Sequence, residues 1–191
     1  MRNSPVERPP VDGAPPEAAG GKSALYGELL GQAAALFAGE TDLVANAANL
    51  AALIYHGLPD LNWAGFYFAK EGDLVLGPFQ GKPACVRIRW GTGVCGSAAE
   101  RAAAIVVADV DAFPGHIACD AASRSELVVP LVDEGQVLGV LDLDSPRRGR
   151  FDDEDRAGCE RLVALLLAHI GLRRPLRCGS VARPPAEGDG G

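Results

Sequence analysis

The sequence predicts an α+β domain built on a mostly antiparallel six-stranded sheet flanked by helices. Three observations carry that expectation. Two apolar patterns of helical period come first, six short strand-like runs joined mainly by hairpin turns follow, and one helical stripe closes the pattern. At 191 residues the chain suffices for one domain with a sizeable core and is short for two.

Residues 1–21, with Pro9-Pro10 and Pro15-Pro16 among Ala and Gly, carry too little apolar surface to order themselves and are expected to be a disordered tail. The domain is expected over 22–172, with 173–191 as a second loose tail. From Ser23, residues Leu25, Leu29, Leu30, Ala33 and Leu36 recur at the three-and-four spacing of one buried helix face, and Gly39 ends it. Thr41 or Asp42 is the expected N-cap of a second helix through about Tyr55, stopped by Gly57 and Pro59. Strands are expected over 62–69 and 74–79, joined by the turn Lys70-Glu71-Gly72-Asp73. Trp63, Gly65 and Tyr67 share one face of the first, because side chains alternate, so two aromatics flank a gap that is either core or the wall of a ligand site. A third strand is expected over 85–90, after which Gly91-Thr92-Gly93-Val94-Cys95-Gly96 leads into a helix through about Ala102. Residues 104–107 form the fourth strand, followed by a long loop.

The last two strands, 127–132 and 136–143, meet at Asp133-Glu134-Gly135. With the turn centred on Glu134-Gly135, Glu126 falls opposite Leu143 and diagonal to Asp142 and Asp144, and a slip of one residue puts it directly opposite an aspartate. Either register gathers three carboxylates at one end. Like charges this close need a cation, a proton or a cationic ligand, unless they form a solvated hairpin end. Phe151-Asp152-Asp153-Glu154-Asp155 opens the final helix with acids where the dipole favours them, and Cys159, Leu162, Val163, Leu166 and Ile170 form its inner stripe, which assigns Cys159 to the core.

Composition excludes several functions. The chain is 48% hydrophobic and 23% charged, an ordinary soluble balance, and its net charge of -7 argues against nucleic acid or an anionic membrane as a partner. The longest apolar run, 162–170, is interrupted by His169 and too short to span a bilayer. The N-terminus lacks the apolar core of a secretion signal, so a cytoplasmic location with reduced thiols is expected, and an odd total of five cysteines fits that better than a disulfide framework.

Cys119, in Phe113-Pro114-Gly115-His116-Ile117-Ala118-Cys119-Asp120, is the residue expected to carry chemistry. It follows a Pro-Gly turn and so sits on a loop, and His116 is near enough in sequence to favour its thiolate. Cys85 and Cys95 lie upstream in loops or element ends, and three such cysteines suggest redox cycling; the bland alternative is that Cys119 is a small buried hydrophobe. Cys95 falls near a helix N-terminus, where the dipole would stabilise a thiolate and free N–H groups would hold a carboxylate, unless the glycines only make a turn. That loop lacks the Gly-Lys-Ser/Thr ending of a Walker motif. Without paired Cys-x-x-Cys spacing, and with His116 as the sole fourth ligand for the three cysteines, no metal is expected. Cys178 lies in the second tail.

The motifs resemble one enzyme family within the GAF domains. The matching pieces are Asn62-Trp63 with Gly65-Phe66-Tyr67, the run from Leu76 to Cys85, Gly93-Val94-Cys95-Gly96, the run from Ala112 to Asp120, Ser123-Arg124-Ser125-Glu126, and Val140-Leu141-Asp142-Leu143-Asp144-Ser145. Together they are similar to free methionine-R-sulfoxide reductase, over most of the chain from about Tyr26 to Ile170. The resemblance implies an oxidoreductase of GAF fold that needs no bound cofactor and uses thioredoxin as external reductant. Cys119 matches the nucleophile that becomes a sulfenic acid, Cys85 the resolving cysteine, and Cys95 the third cysteine of the family. Glu126, Asp142 and Asp144 match the acids that hold the substrate's amino group and supply a proton, and Trp63 and Tyr67 the walls around the methyl sulfoxide. Free methionine sulfoxide and thioredoxin are the partners implied, with a homodimer left open. Both tails and Arg147-Arg148 fall outside the match.

A non-catalytic GAF sensor of a small ligand or of redox state is the competing expectation. Phe151-Asp152-Asp153-Glu154 faintly resembles the cyclic-nucleotide motif of such domains, but the Asn-Lys pair of that motif is missing and helix capping accounts for the acids. A sensor also requires an output domain, for which the chain has little room.

Overall fold

A computed structural model describes residues 21–115 and 120–170. Helix α1 (Gly21–Phe37) buries Tyr26, Leu29, Ala33 and Phe37, a stripe of three-and-four spacing. Helix α2 (Leu43–Gly57) starts where Asp42 accepts a hydrogen bond from the Ala45 N–H at 2.8 Å, satisfying one of the donors a helix start leaves open. Strands β1 (Trp63–Lys70) and β2 (Asp73–Gly81) form the expected hairpin, and the short β3 (Arg87–Arg89) pairs with the start of β2. Helix α3 (Gly93–Arg101) ends at Ala102, which adopts a left-handed conformation, and β4 (Ile105–Val107) precedes a 3-10 turn at Val110–Ala112. Strands β5 (Ser125–Asp133) and β6 (Gln136–Ser145) make the second hairpin, and helix α4 (Asp153–His169) closes the fold.

All neighbouring strands are antiparallel, in the order β3-β2-β1-β6-β5-β4, so the expected α+β class with a six-stranded sheet is what the chain forms. Alternation along the central strands divides the sheet's two faces. Ala64 and Phe66 of β1, Leu127 and Val129 of β5, and Leu141 and Leu143 of β6 pack on one face against α1, α2 and α4. Trp63 and Tyr67, with Val128 and Val140, pack on the other against α3, Leu74 and Ile88. Gly158 on α4 permits the close approach of α1: a Cβ there would stand 2.3 Å from the Tyr26 ring. Cys159 beside it is fully buried, and burial pushes its thiol up to about 12, as suits a core residue.

Two expectations about local structure need correction. The run 85–90 is strand only at Arg87–Arg89, so Cys85 lies in the loop before it. Residues 133 and 136 do pair around the Glu134-Gly135 turn, but the register shifts between Leu131 and Val132, and Glu126 therefore faces Asp144 rather than Leu143. A single irregular residue far from the acids decides which of them touch. The expected tails at 1–21 and 173–191 lie outside the described residues except at Gly21, and His116, Cys119 and Cys178 lie outside them altogether.

Candidate active site

The ends of β1, β5 and β6 bring the acids together on the face that α3 covers. Trp63 pairs with Asp144 and Gly65 with Asp142 across β1 and β6, while Glu126 pairs with Asp144 and Val128 with Asp142 across β5 and β6. Since residues two apart share a face, Glu126, Asp142, Asp144, Trp63 and Tyr67 all point the same way. Above them lies the first turn of α3, where the N-cap Thr92 makes no side-chain capping bond. A pocket opens between these elements. Trp63, Tyr67, Cys95, Glu126, Asp142 and Asp144 line it together, along with Lys82, Pro83, Ala84, Ile88, Thr92, Gly93, Val94, Asp120 and Ser123.

The aromatics do not flank an open gap. The Trp63 ring stacks on Tyr67 at 5.9 Å and on Phe79 at 5.4 Å, and its Nε1 donates to the Lys82 carbonyl at 3.1 Å. It occupies the space that Gly65 leaves, since a Cβ at residue 65 would lie 2.7 Å from the Trp63 ring and 2.4 Å from the Phe79 Cβ. The result is one continuous apolar wall.

Opposite that wall the electrostatics are severe. Glu126 and Asp142 are each 6% exposed. Burial, then the neighbouring Asp142 and Asp144 carboxylates, push the Glu126 carboxyl well above its ordinary range; burial and then Asp144 do the same to Asp142. Asp144, partly open to the pocket, is pushed up to about 7, mainly by burial and against the opposing hydrogen bond from Ser123. Asp142 Oδ1 is buried with no hydrogen-bond partner, and among the described residues neither Asp142 nor Asp144 forms an ion pair with a lysine or arginine.

Cys95 Sγ donates to Glu126 Oε1 at 3.9 Å. Burial foremost, then Asp142 and Glu126, raise its thiol well above the ordinary value, against the expectation that the helix dipole would favour a thiolate. One ligand atom from each of Cys95, Glu126 and Asp142 lies within 4.8 Å of the others. A metal there would require all three to be deprotonated, which the burial of each group opposes.

The mouth of the pocket is organised by Asp120, the residue after Cys119. Asn62 Nδ2 donates to Asp120 at 3.2 Å and to Ser123 Oγ at 3.0 Å, exposed Lys82 pairs with Asp120 at 3.2 Å, and the Ala122 N–H bonds the same carboxylate. The Ala122 N–H foremost, then Asn62 and Lys82, hold Asp120 below the usual carboxylate range. Cys85 follows pocket-lining Ala84 and packs, half-buried, against the core on this face. Lys82, Asp120 and Ser123 were not singled out from the sequence, although the Gly81-Lys82-Pro83 and Asp120-to-Ser123 stretches sit inside or beside the motifs described above.

A family model described as GAF domain matches residues 38–170. Protein YtsP of Bacillus subtilis is 59% identical over 138 residues, which are 71% of this chain and 85% of the relative. The free methionine-R-sulfoxide reductase of Escherichia coli is 55% identical over 145 residues, covering 76% of this chain and 88% of that enzyme. Among solved structures, the free methionine-R-sulfoxide reductase of Neisseria meningitidis in complex with its substrate superposes with a TM-score of 0.77 at 46% identity, over 80% of this chain and 92% of that one.

Proposed function

The chain belongs to the GAF domain family and, within it, to the free methionine-R-sulfoxide reductases, and from that membership we propose that it reduces free L-methionine (R)-sulfoxide by thiol chemistry centred on Cys119. The observation that carries the reading is the acid cluster at the pocket base. Two buried carboxyl groups and the partly open Asp144, all with raised proton affinity, await a cation, and the ammonium of a free amino acid is one. Methionine inside a peptide has no such group.

In the proposed reaction the Cys119 thiolate attacks the sulfoxide sulfur, and the oxygen, protonated by a neighbouring acid, leaves as water as the S–O bond breaks. Water then attacks the Cys119 sulfur and breaks the S–S bond so formed, which leaves Cys119 as a sulfenic acid, returns the proton and releases methionine reduced by two electrons. Asp144, the least perturbed acid, takes the ammonium, while the proton that the departing oxygen needs comes from Glu126 or Asp142, whose burial raises their proton affinity. Trp63 and Tyr67 wall the methyl group. The Cys85 thiol then attacks the sulfenic sulfur, expelling water and forming a disulfide, which a dithiol reductant such as thioredoxin reopens. Electrons enter as thiols, so no bound cofactor is required. The proposal includes a cytoplasmic setting, where thiols stay reduced, and a homodimer, which sedimentation would test.

The test is kcat/KM for free and N-acetyl methionine sulfoxide. N-acetylation removes the cation and should lower the value by about a hundredfold or more, on the scale of an uncompensated buried charge. Equal values would overturn the pocket assignment. Mass spectrometry of the protein after one turnover without reductant should find the Cys85–Cys119 disulfide, and Cys119→Ser should release no methionine.

A further inference from the structure

Cys95 sits where burial disfavours a thiolate. It is 4% exposed, in the first turn of α3, with Glu126 Oε1 3.9 Å from its sulfur and an Asp142 oxygen in the same 4.8 Å cluster. We propose that Cys95 is a positioning residue: its thiol is a fixed hydrogen-bond donor that orients the Glu126 and Asp142 carboxyl pair, and it acts neither as nucleophile nor as resolving thiol. This deepens the function proposed above, because it assigns the pair to proton supply.

Two observations on backbone and packing support the assignment. First, the turn carrying Cys95 is pinned. The Gly91 N–H donates to the Gly96 carbonyl at 2.9 Å, the Gly96 N–H to the Thr92 carbonyl at 3.1 Å, and a Cβ at residue 96 would stand 2.3 Å from the Arg89 carbonyl oxygen. Any displacement of Cys95 would therefore disturb the first turn of α3. Cys85 lies in a segment outside helix and strand, so the two cysteines differ in freedom as well as in burial. Second, the surroundings are those of a donor. Glu126 from β5, Asp142 and Asp144 from β6 and Tyr67 from β1 line the pocket with Cys95, while Lys82, which also lines it, pairs with Asp120. A thiolate placed there would face carboxylates, whereas a thiol gives them a proton donor. The hydrogen bond from Cys95 also opposes the upward push on Glu126, keeping that acid strong enough to release its proton.

The experiment compares Cys95→Ser, which keeps a donor of similar size, with Cys95→Ala, which removes it. Single-turnover release of methionine, measured without reductant across pH, should fall by less than about threefold in Cys95→Ser and by about tenfold or more in Cys95→Ala. The alkaline limb of the rate profile should move to higher pH in the alanine variant alone, because Glu126 has lost the contact that favours its ionised form. Equal losses in both variants would mean that the sulfur itself reacts, and an unchanged alanine variant would mean that the thiol is apolar filler; either overturns the proposal. Melting temperatures of both variants separate loss of fold from loss of rate. A readout independent of turnover is the ultraviolet thiolate absorbance at neutral pH, which should not differ between wild type and Cys95→Ser. A thiolate signal lost in Cys95→Ser would overturn the donor role even in a protein that released no methionine, whereas failure of wild-type release alone would count against the proposed function.

Discussion

Two groups of buried acids lie on opposite faces of the sheet, and their surroundings treat them differently. Asp155 on α4 is fully buried, yet it takes two bonds from Arg150 Nη1 at 3.1 Å, one from the Tyr26 hydroxyl at 3.0 Å, one from Lys22 and one from the Asp152 N–H. It ties α1, α4 and the segment before α4 into one unit. Asp142, almost as deeply buried, has an oxygen with no partner and another carboxylate close by. A buried charge that is fully paired belongs to the fold; one held above its ordinary range without a cation is available to a ligand.

Breaking the paired cluster should have the largest effect on stability. Asp155→Asn leaves Arg150 and Lys22 without their common partner and should cost about 3–5 kcal/mol in urea unfolding, while kcat/KM of the folded fraction changes by less than about twofold. If activity fell as far as stability, the two clusters would not be separable. Asp142→Asn should invert the pattern. It removes a charge the fold does not need, so stability near pH 8 should hold or rise, while kcat/KM falls by about a hundredfold, close to 2.7 kcal/mol. A destabilised Asp142→Asn would move that residue into the structural group.

The smallest effect sharpens the comparison through pH. Asp144 has a folded value of about 7 against an ordinary 3.8, so folding favours its protonated form. The contribution is therefore fully present below about pH 4 and lost as pH rises through about 7, a decline of about 1–2 kcal/mol after solvent screening. Asp152, held down to about 2 chiefly by Lys22, acts in the opposite direction and only at more acid pH, so the two windows do not overlap. Saturating free methionine, whose ammonium favours the ionised form, should flatten the decline between about pH 4 and 7. A decline unchanged by methionine would place the ammonium elsewhere.

Much of the fold was legible because its causes are local. The Asp42 cap, the turns at Glu71-Gly72 and Glu134-Gly135, and the stripes of α2 and α4 depend on residues a few positions apart. The α1 stripe was one step less legible: the sequence suggests Leu25 and Leu36 as inner residues, but Tyr26 and Phe37 take those places, with Leu36 45% exposed. An Ala- and Leu-rich helix has apolar residues on several sides, and only the position of α4 selects the buried one.

The sequence by itself determined that Trp63 and Tyr67 share one face of their strand and that Asp142 and Asp144 share one face of theirs, since alternation along a strand needs no knowledge of its neighbours; the pairing of β1 with β6 put both pairs on the same side of the sheet. The sequence also carried the motifs that mark the family. Only the tertiary structure decided that Glu126 meets Asp144, that the Trp63 ring fills the space over Gly65, that Asp155 has its cations while Asp142 does not, and that Cys95 is buried beside carboxyl groups that raise its thiol above the ordinary value. Those facts turn on desolvation and Coulomb interactions between groups brought together through space: Cys95 and Glu126 are 31 residues apart, and Lys22 and Asp155 are 133 apart. No local pattern encodes the charge that a side chain will meet across such a separation.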